Sequence, residues 1–264
     1  MRSITRSFPY VFALALVLAG CATAPTSTKL LNREKIEQTN KIEIFYNPEE
    51  HAVVHDFGDQ SRHNVLSLSG LLGPVGVLVA AGATGLATKV ALDEAVPRSK
   101  AFNEAIASEV AAQDMDAELV QRIADRLESM GKTVKITRVA RLPGNKPGLT
   151  EEKPAVHPEL ATTGFTSTPG YTPLLLRLTT GYGSPDALKD FRSVAIVEYA
   201  LVDPNSHRYI LDGKIDSIDK PKGPTYFTWS ALLQDASVAR SQIRTSLLQT
   251  GEAVPSLIFS FDKS

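Results

Sequence analysis

Cysteine is almost missing from this sequence: Cys21 is the only one in 264 residues. That excludes an intramolecular disulfide and any metal centre built on several thiolates. An excess of positive charge is missing as well, with 28 Lys and Arg against 29 Asp and Glu. Nucleic-acid binding draws its affinity from a concentrated basic surface, and no stretch here interleaves basic and aromatic residues as a single-strand groove does, so no nucleic-acid partner is expected. Signatures of catalysis are also lacking. There is no Gly-x-Ser-x-Gly, no Gly-x-Gly-x-x-Gly and no His-Glu-x-x-His. "RLESMGKT" (126–133) ends like a phosphate-binding P-loop, but Arg126 stands where the first glycine belongs. That segment also reads helix into strand, the reverse of the order a P-loop needs. No repeat of about 20 to 50 residues is present.

What the chain does have begins at its front. Arg2 and Arg6 make a positive start, and "FPYVFALALVL" (8–18) is a short apolar run followed by small residues. This is the layout of an export signal over residues 1–20. The run falls well short of the roughly 20 residues that span a bilayer. Leu18-Ala19-Gly20 ends that signal, and Cys21 follows directly. Leu18-Ala19-Gly20-Cys21 resembles the lipobox of bacterial lipoproteins in all four positions. The resemblance implies that Cys21 carries a diacylglycerol (and an acyl chain such as palmitate on its amine) after the signal is cut away. Two or more acyl chains hold a protein on a bilayer, at about 0.8 kcal/mol per buried CH2, where one chain does so only marginally. Ala22, rather than Asp, follows the cysteine. By the same resemblance this points to the outer membrane, with the protein facing the periplasm. Removing the signal takes Arg2 and Arg6 and no acid, leaving 26 basic against 29 acidic side chains. Residues 21–40 are polar and small at first and read as a tether.

The rest, residues 41–264, reads as one domain. "KIEIFYN" (41–47) alternates Ile42, Ile44 and Tyr46 with polar partners, the period of a strand. "HAVVHDF" (51–57) is a second strand. Residues 97–113 predict a helix with Pro97 in its first turn and Phe102, Ala105, Ile106 and Val110 inward. Residues 116–131 predict another, capped by Asp116, ended by Gly131, with Leu119, Val120, Ile123, Leu127 and Met130 inward and Glu118 paired with Arg122. Strand patterns follow at 132–139 and 172–183, separated by a long Pro- and Gly-rich loop over 140–170. "RSVAIVEYALVDPNSHRYILDGKIDSI" (192–218) is a hairpin whose turn is Asp203, Pro204 and Asn205. Residues 228–251 predict one long amphipathic helix. Tyr226, Phe227 and Trp229 precede or open it as anchors onto the sheet. "VPSLIFSF" (254–261) ends the chain as a strand or docked tail. The order predicts an α/β (α+β) fold: a mostly antiparallel or mixed sheet covered by two or three helices.

Between these elements, 65–92 is an uncharged Gly- and Ala-rich insertion, free of charge from Val65 to Thr88. Three readings compete. A membrane span is long enough, but only ten of those 24 residues are Val or Leu, against five Gly and a proline. A self-association element is suggested by Gly76, Ala80, Thr84 and Thr88, small residues recurring every four positions so that two helix backbones can approach closely. A glycine-rich connector folded against its own domain is the third.

"HAVVHDFGDQSRH" gathers His51, His55 and His63 with Asp56 and Asp59, ligand types suited to zinc or copper. On a strand His51 and His55 lie about 13 Å apart and cannot share an ion. A solvated loop is the plainer expectation. Adjacent acids such as Glu49–Glu50 and Glu151–Glu152 are likewise expected in water. "VEYALVDPNSHRYILDGKI" (197–215), followed by a helix, resembles the hairpin of envelope lipoproteins related to curli-type secretion channels and transport-auxiliary lipoproteins. The likeness lies within 192–251 and carries over no catalytic residue. It implies a role in envelope assembly or trafficking. Together with the lipid anchor and the small-residue spacing in 65–92, the expectation is a non-enzymatic accessory or structural subunit of an envelope assembly or transport complex, with protein partners in the envelope, a membrane contact through the lipid, homo-oligomers through 65–92, and no cofactor. The alternatives are a periplasmic metal- or ligand-binding lipoprotein, or an enzyme acting on cell wall or lipid.

Overall fold

The structure, a computed structural model, describes residues 29–30, 33–55, 86–139, 167–184, 190–206, 209–218 and 223–260, with backbone alone at 29–30 and 86–93. Among the described residues seven strands form one sheet: β1 (Lys29–Leu30), β2 (Lys41–Tyr46), β3 (His51–Val54), β4 (Thr133–Arg138), β5 (Thr172–Gly183), β6 (Arg192–Val202) and β7 (Tyr209–Asp216). Their order is β1-β7-β6-β5-β2-β4, with β3 also alongside β5. β2 runs parallel to β4 and β5, and β3 is parallel to β5, while β1–β7, β5–β6 and β6–β7 are antiparallel. The fold is therefore α/β with a mixed sheet, as the element order predicts.

The helices are α1 (Arg33–Gln38), α2 (Leu86–Ala105), α3 (Ala107–Ala112), α4 (Met115–Ser129), α5 (Trp229–Gln234), α6 (Ala236–Gly251) and α7 (Val254–Phe259). The main core lies between helices and sheet. Ile42, Ile44, Leu174, Leu176, Leu178, Tyr182, Val197 and Leu201 meet Phe102, Ile106, Leu119, Ile123, Leu127, Ile243, Leu247 and Ile258 there. Each such side chain contributes about 1.5–3 kcal/mol by leaving water.

Several expectations need correction. β2 buries both faces: Glu43 and Phe45, read as its polar side, are only 2% exposed. Phe45 joins Leu175, Ala200 and Val202 in a second, smaller apolar cluster. Glu43 accepts from Thr137 Oγ1 at 2.7 Å and from the Thr168 N–H at 2.6 Å, and pairs with Lys135 at 2.9 Å. Pro97 stands inside α2 rather than in its first turn. A proline there removes a helix hydrogen bond at a cost of about 3 kcal/mol. The buried stripe Ala95, Ser99, Phe102 and Ile106 runs past it without a break, and this packing holds the helix together. Ala105, expected on that stripe, is exposed.

Asp114, not Asp116, caps α4, accepting from the N–H groups of Asp116 and Ala117. Its far end is as expected: Gly131 adopts φ 81°, the left-handed conformation glycine tolerates best. Glu118 does pair with Arg122, at 3.0 Å, and also with Arg244 of α6. The predicted helix over 228–251 is two helices that break at Asp235, whose carboxylate accepts from Tyr226 Oη at 2.8 Å. Residues 254–259 are helical, not a strand, with Pro255 in the first turn where its missing N–H is harmless. Tyr226 is buried and Trp229 packs against the core, but Phe227 is 77% exposed and anchors nothing on the sheet.

Two edges of the sheet are treated differently. β3 has β5 on one side; on the other, Asn103 of α2 accepts from the His51 N–H at 3.0 Å and donates to the His51 carbonyl at 2.7 Å. Ser99 Oγ accepts from the Val53 N–H at 2.8 Å. Helix side chains thus stand in for a neighbouring strand.

Candidate functional site

The most unusual local feature is where β2 passes to β3. Tyr46 pairs with Leu176 and His51 with Thr180, so four residues of this passage face three of β5. The extra residue is a bulge. Asn47 fills it by imitating a peptide group: its Oδ1 accepts from the Leu178 N–H at 3.2 Å and its Nδ2 donates to the Leu178 carbonyl at 3.3 Å. The bulge turns Glu49 inward, and its side chain is completely buried. Glu50, its neighbour, is exposed as expected of both.

Glu49 meets partners from three other elements. Oε1 accepts from His51 Nε2 at 2.9 Å and Arg240 Nε at 3.0 Å. Oε2 accepts from the Met115 N–H at 2.7 Å and from an Arg240 Nη at 3.1 Å. Arg240, on α6, is only 7% exposed and also donates to the Gln113 carbonyl. His51 Nδ1 lies 2.7 Å from Thr180 Oγ1, a hydroxyl that can serve as donor or acceptor to either protonation state of the ring. The edge of the His51 ring packs on Phe102. Because the Met115 N–H opens α4, the carboxylate also sits at the positive end of that helix.

Electrostatics separate the two buried acids of this cluster. Burial pushes the Glu49 carboxyl up, but the hydrogen bond and charge of His51, the Met115 N–H and Arg240 outweigh it and hold the group below its ordinary range. Asp116 goes the other way. Burial raises it first, Glu49 and Asp114 raise it further, and it is held well above the carboxylate range. Its Oδ1 is buried without a hydrogen-bond partner. So two carboxyls pushed in opposite directions lie in one cluster, the pattern from which acid–base sites are built. Here, however, the four bonds to Glu49 use all of its acceptor directions. The cluster ties the bulge, the start of α4 and the middle of α6 into one unit.

The residues singled out from sequence are placed as follows. His51 is in the core rather than in a solvated loop, with both ring nitrogens engaged. His55 lies just beyond β3, its ring 5.2 Å from that of Phe191. His63, Asp56 and Asp59 lie outside the described residues, as do Cys21, Gly76, Ala80 and Thr84. Thr88 falls in the backbone of α2, so the end of the uncharged run forms that helix's first turn. The loop at 140–170 is described only from residue 167. Among the described residues no group of His, Cys, Asp and Glu is arranged to hold a metal ion, and no helix is long and apolar enough to cross a membrane.

Sequence reasoning missed Glu49, Arg240 and Asp116. One signal was available. Arg240 sits on the inward stripe of its helix, between Ala236, Ala239 and Ile243. A cation there requires a buried anion. No protein family, curated protein or solved structure matches this chain.

Proposed function

We propose that the protein is a lipoprotein of the outer membrane, held by acyl chains on Cys21 and facing the periplasm, where it serves as a non-enzymatic accessory or structural subunit of an envelope complex. The observation that carries this reading is the sequence Leu18-Ala19-Gly20-Cys21 directly after a short apolar run with basic residues before it. Two features favour a binding role over catalysis. All four acceptor directions of Glu49 are taken by internal bonds, and Glu49, His51 and Arg240 are shielded from water. The hairpin of β6 and β7 that carries the likeness to envelope lipoproteins is built around Asp203. Its Oδ1 accepts from the N–H groups of Asn205 and Ser206 at 2.9 and 3.1 Å, and its other oxygen pairs with Lys35 of α1.

The experiment is Cys21→Ser followed by cell fractionation and by mass spectrometry of the mature N-terminus. The expected result is loss of the acyl mass and release of the chain from the membrane fraction. An altered chain that is processed and sediments as before refutes the anchor, and with it the proposed location.

A further inference from the structure

We propose that the outer edge of β4 pairs with the same edge of a second copy of this chain, antiparallel and in the register that sets Ile136 opposite itself. Among the described residues β4 is the last strand of the sheet, bonded only to β2. The Thr133 N–H donates to the Asn40 carbonyl at 2.8 Å and the Val139 N–H to the Tyr46 carbonyl at 2.9 Å, so residues 133, 135, 137 and 139 face β2. The backbone groups of Val134, Ile136 and Arg138 therefore face outward. Among the described residues nothing bonds to them, in contrast to β3, whose outer edge Asn103 and Ser99 occupy. A bare edge of this kind is a template for another strand unless it is guarded.

The usual guards are disarmed here. Lys135 is drawn to Glu43 at 2.9 Å, and Arg138 to Asp114 at 2.9 Å. No proline interrupts the strand, and it leaves an apolar side chain, Ile136, 37% exposed. A second copy is the occupant whose chemistry fits. In an antiparallel pair the residues with outward backbone groups face one another, so Ile136 meets Ile136, and Val134 meets Arg138. Between them Lys135 lies across from Thr137, which hydrogen-bonds the same Glu43 that binds Lys135. No two like charges stand opposite each other, and the exposed isoleucine covers its own twin. The chain just after β4 is a poor competitor, because "RLPGNKPGLTEEKP" (141–154) carries three prolines that cannot donate to a ladder. An edge of six residues makes a small contact, so the dimer is weak and concentration-dependent.

The test uses the full chain with Cys21→Ser, so that an introduced cysteine is the only thiol. Ile136→Cys is expected to form an intermolecular disulfide on mild oxidation, because directly opposed residues lie about 5.5 Å apart between Cα atoms, within disulfide reach. Val134→Cys faces Arg138 instead and is expected to crosslink at least about tenfold less. Sedimentation of the chain with its natural Ile136 is expected to show a monomer–dimer equilibrium at concentrations up to about 1 mM. Ile136→Pro removes an outward N–H and leaves the β2–β4 bonds intact, so it is expected to weaken the dimer at least about tenfold with the circular dichroism unchanged. A chain that stays monomeric at the top concentration, or equal crosslinking at positions 134 and 136, overturns the proposal.

Discussion

Replacing Arg240 with methionine is the sharpest test of how the interior is held together. Methionine keeps much of the apolar stem but removes the charge. It deletes both hydrogen bonds to Glu49, at 3.0 and 3.1 Å, and the one to the Gln113 carbonyl. Both side chains are almost wholly buried, so water neither screens the pair nor replaces the lost partner. Breaking a buried pair from one side costs about 3–5 kcal/mol, mostly because the surviving charge is stranded. Urea unfolding followed by far-UV circular dichroism reads this directly: with a slope of about 2–3 kcal/mol/M, the midpoint falls by about 1–2 M. Glu49→Gln keeps an acceptor for the Met115 N–H and should cost less. The double variant should then be about 2 kcal/mol more stable than the sum of the single losses, since no charge is left alone. The effect also depends on pH. Glu49 is held below its ordinary range, so its share of stability is present above the unfolded value of a glutamate and is lost as pH falls through the folded one. The gap between the natural protein and Arg240→Met is expected to narrow below about pH 4. A cost under about 1 kcal/mol at pH 7, or additivity within about 0.5 kcal/mol, refutes the claim that this pair locks the bulge to α6.

Two other perturbations probe the same region. Asp116 is held above its unfolded value, so it favours the folded state below that value and loses this contribution as pH rises toward the folded one. The loss runs at up to about 1.4 kcal/mol per pH unit. Asp116→Asn should remove this part of the slope and leave the part due to Glu198, which burial also raises; stability curves of equal slope in the two proteins count against an upward shift at Asp116. Gly181→Ala is expected to cost more than about 4 kcal/mol or to abolish soluble expression. At φ 154° the added Cβ would lie 1.8 Å from the Ala52 carbonyl oxygen and force β3 away from β5. Thermal unfolding within a few degrees of the natural protein would contradict that packing.

The periodic elements were legible in the sequence because periodicity is local. Side-chain direction follows from backbone conformation alone. Residues 172–183 read as a strand and are β5, and the run from 192 to 218 contains the hairpin of β6 and β7 with Asp203 bracing its turn. Leu119, Val120, Ile123 and Leu127 of α4 are buried where the spacing puts them, while Met130, expected on the same stripe, caps the helix half-buried. Boundaries were less legible wherever packing overrode a local signal. Pro97 is carried through α2 by the buried residues on either side, and Val254–Phe259 folds as a helix that returns Ile258 to the core. β2 looked half-polar because its sequence alternates, yet the small apolar cluster and the Thr137–Thr168 cradle cover its second face.

The α/β class, the exclusion of an intramolecular disulfide and the expectation of a lipid anchor could be read along the chain, since they rest on composition, spacing and a short contiguous motif. That Glu49 is buried and Glu50 is not emerges only when the chain folds. An extra residue in a strand carries no periodic signature, and the arginine that neutralises Glu49 lies 191 positions further along the chain. The burial of a charge is decided by what is brought beside it, and that is a property of the folded chain, not of its neighbours in sequence.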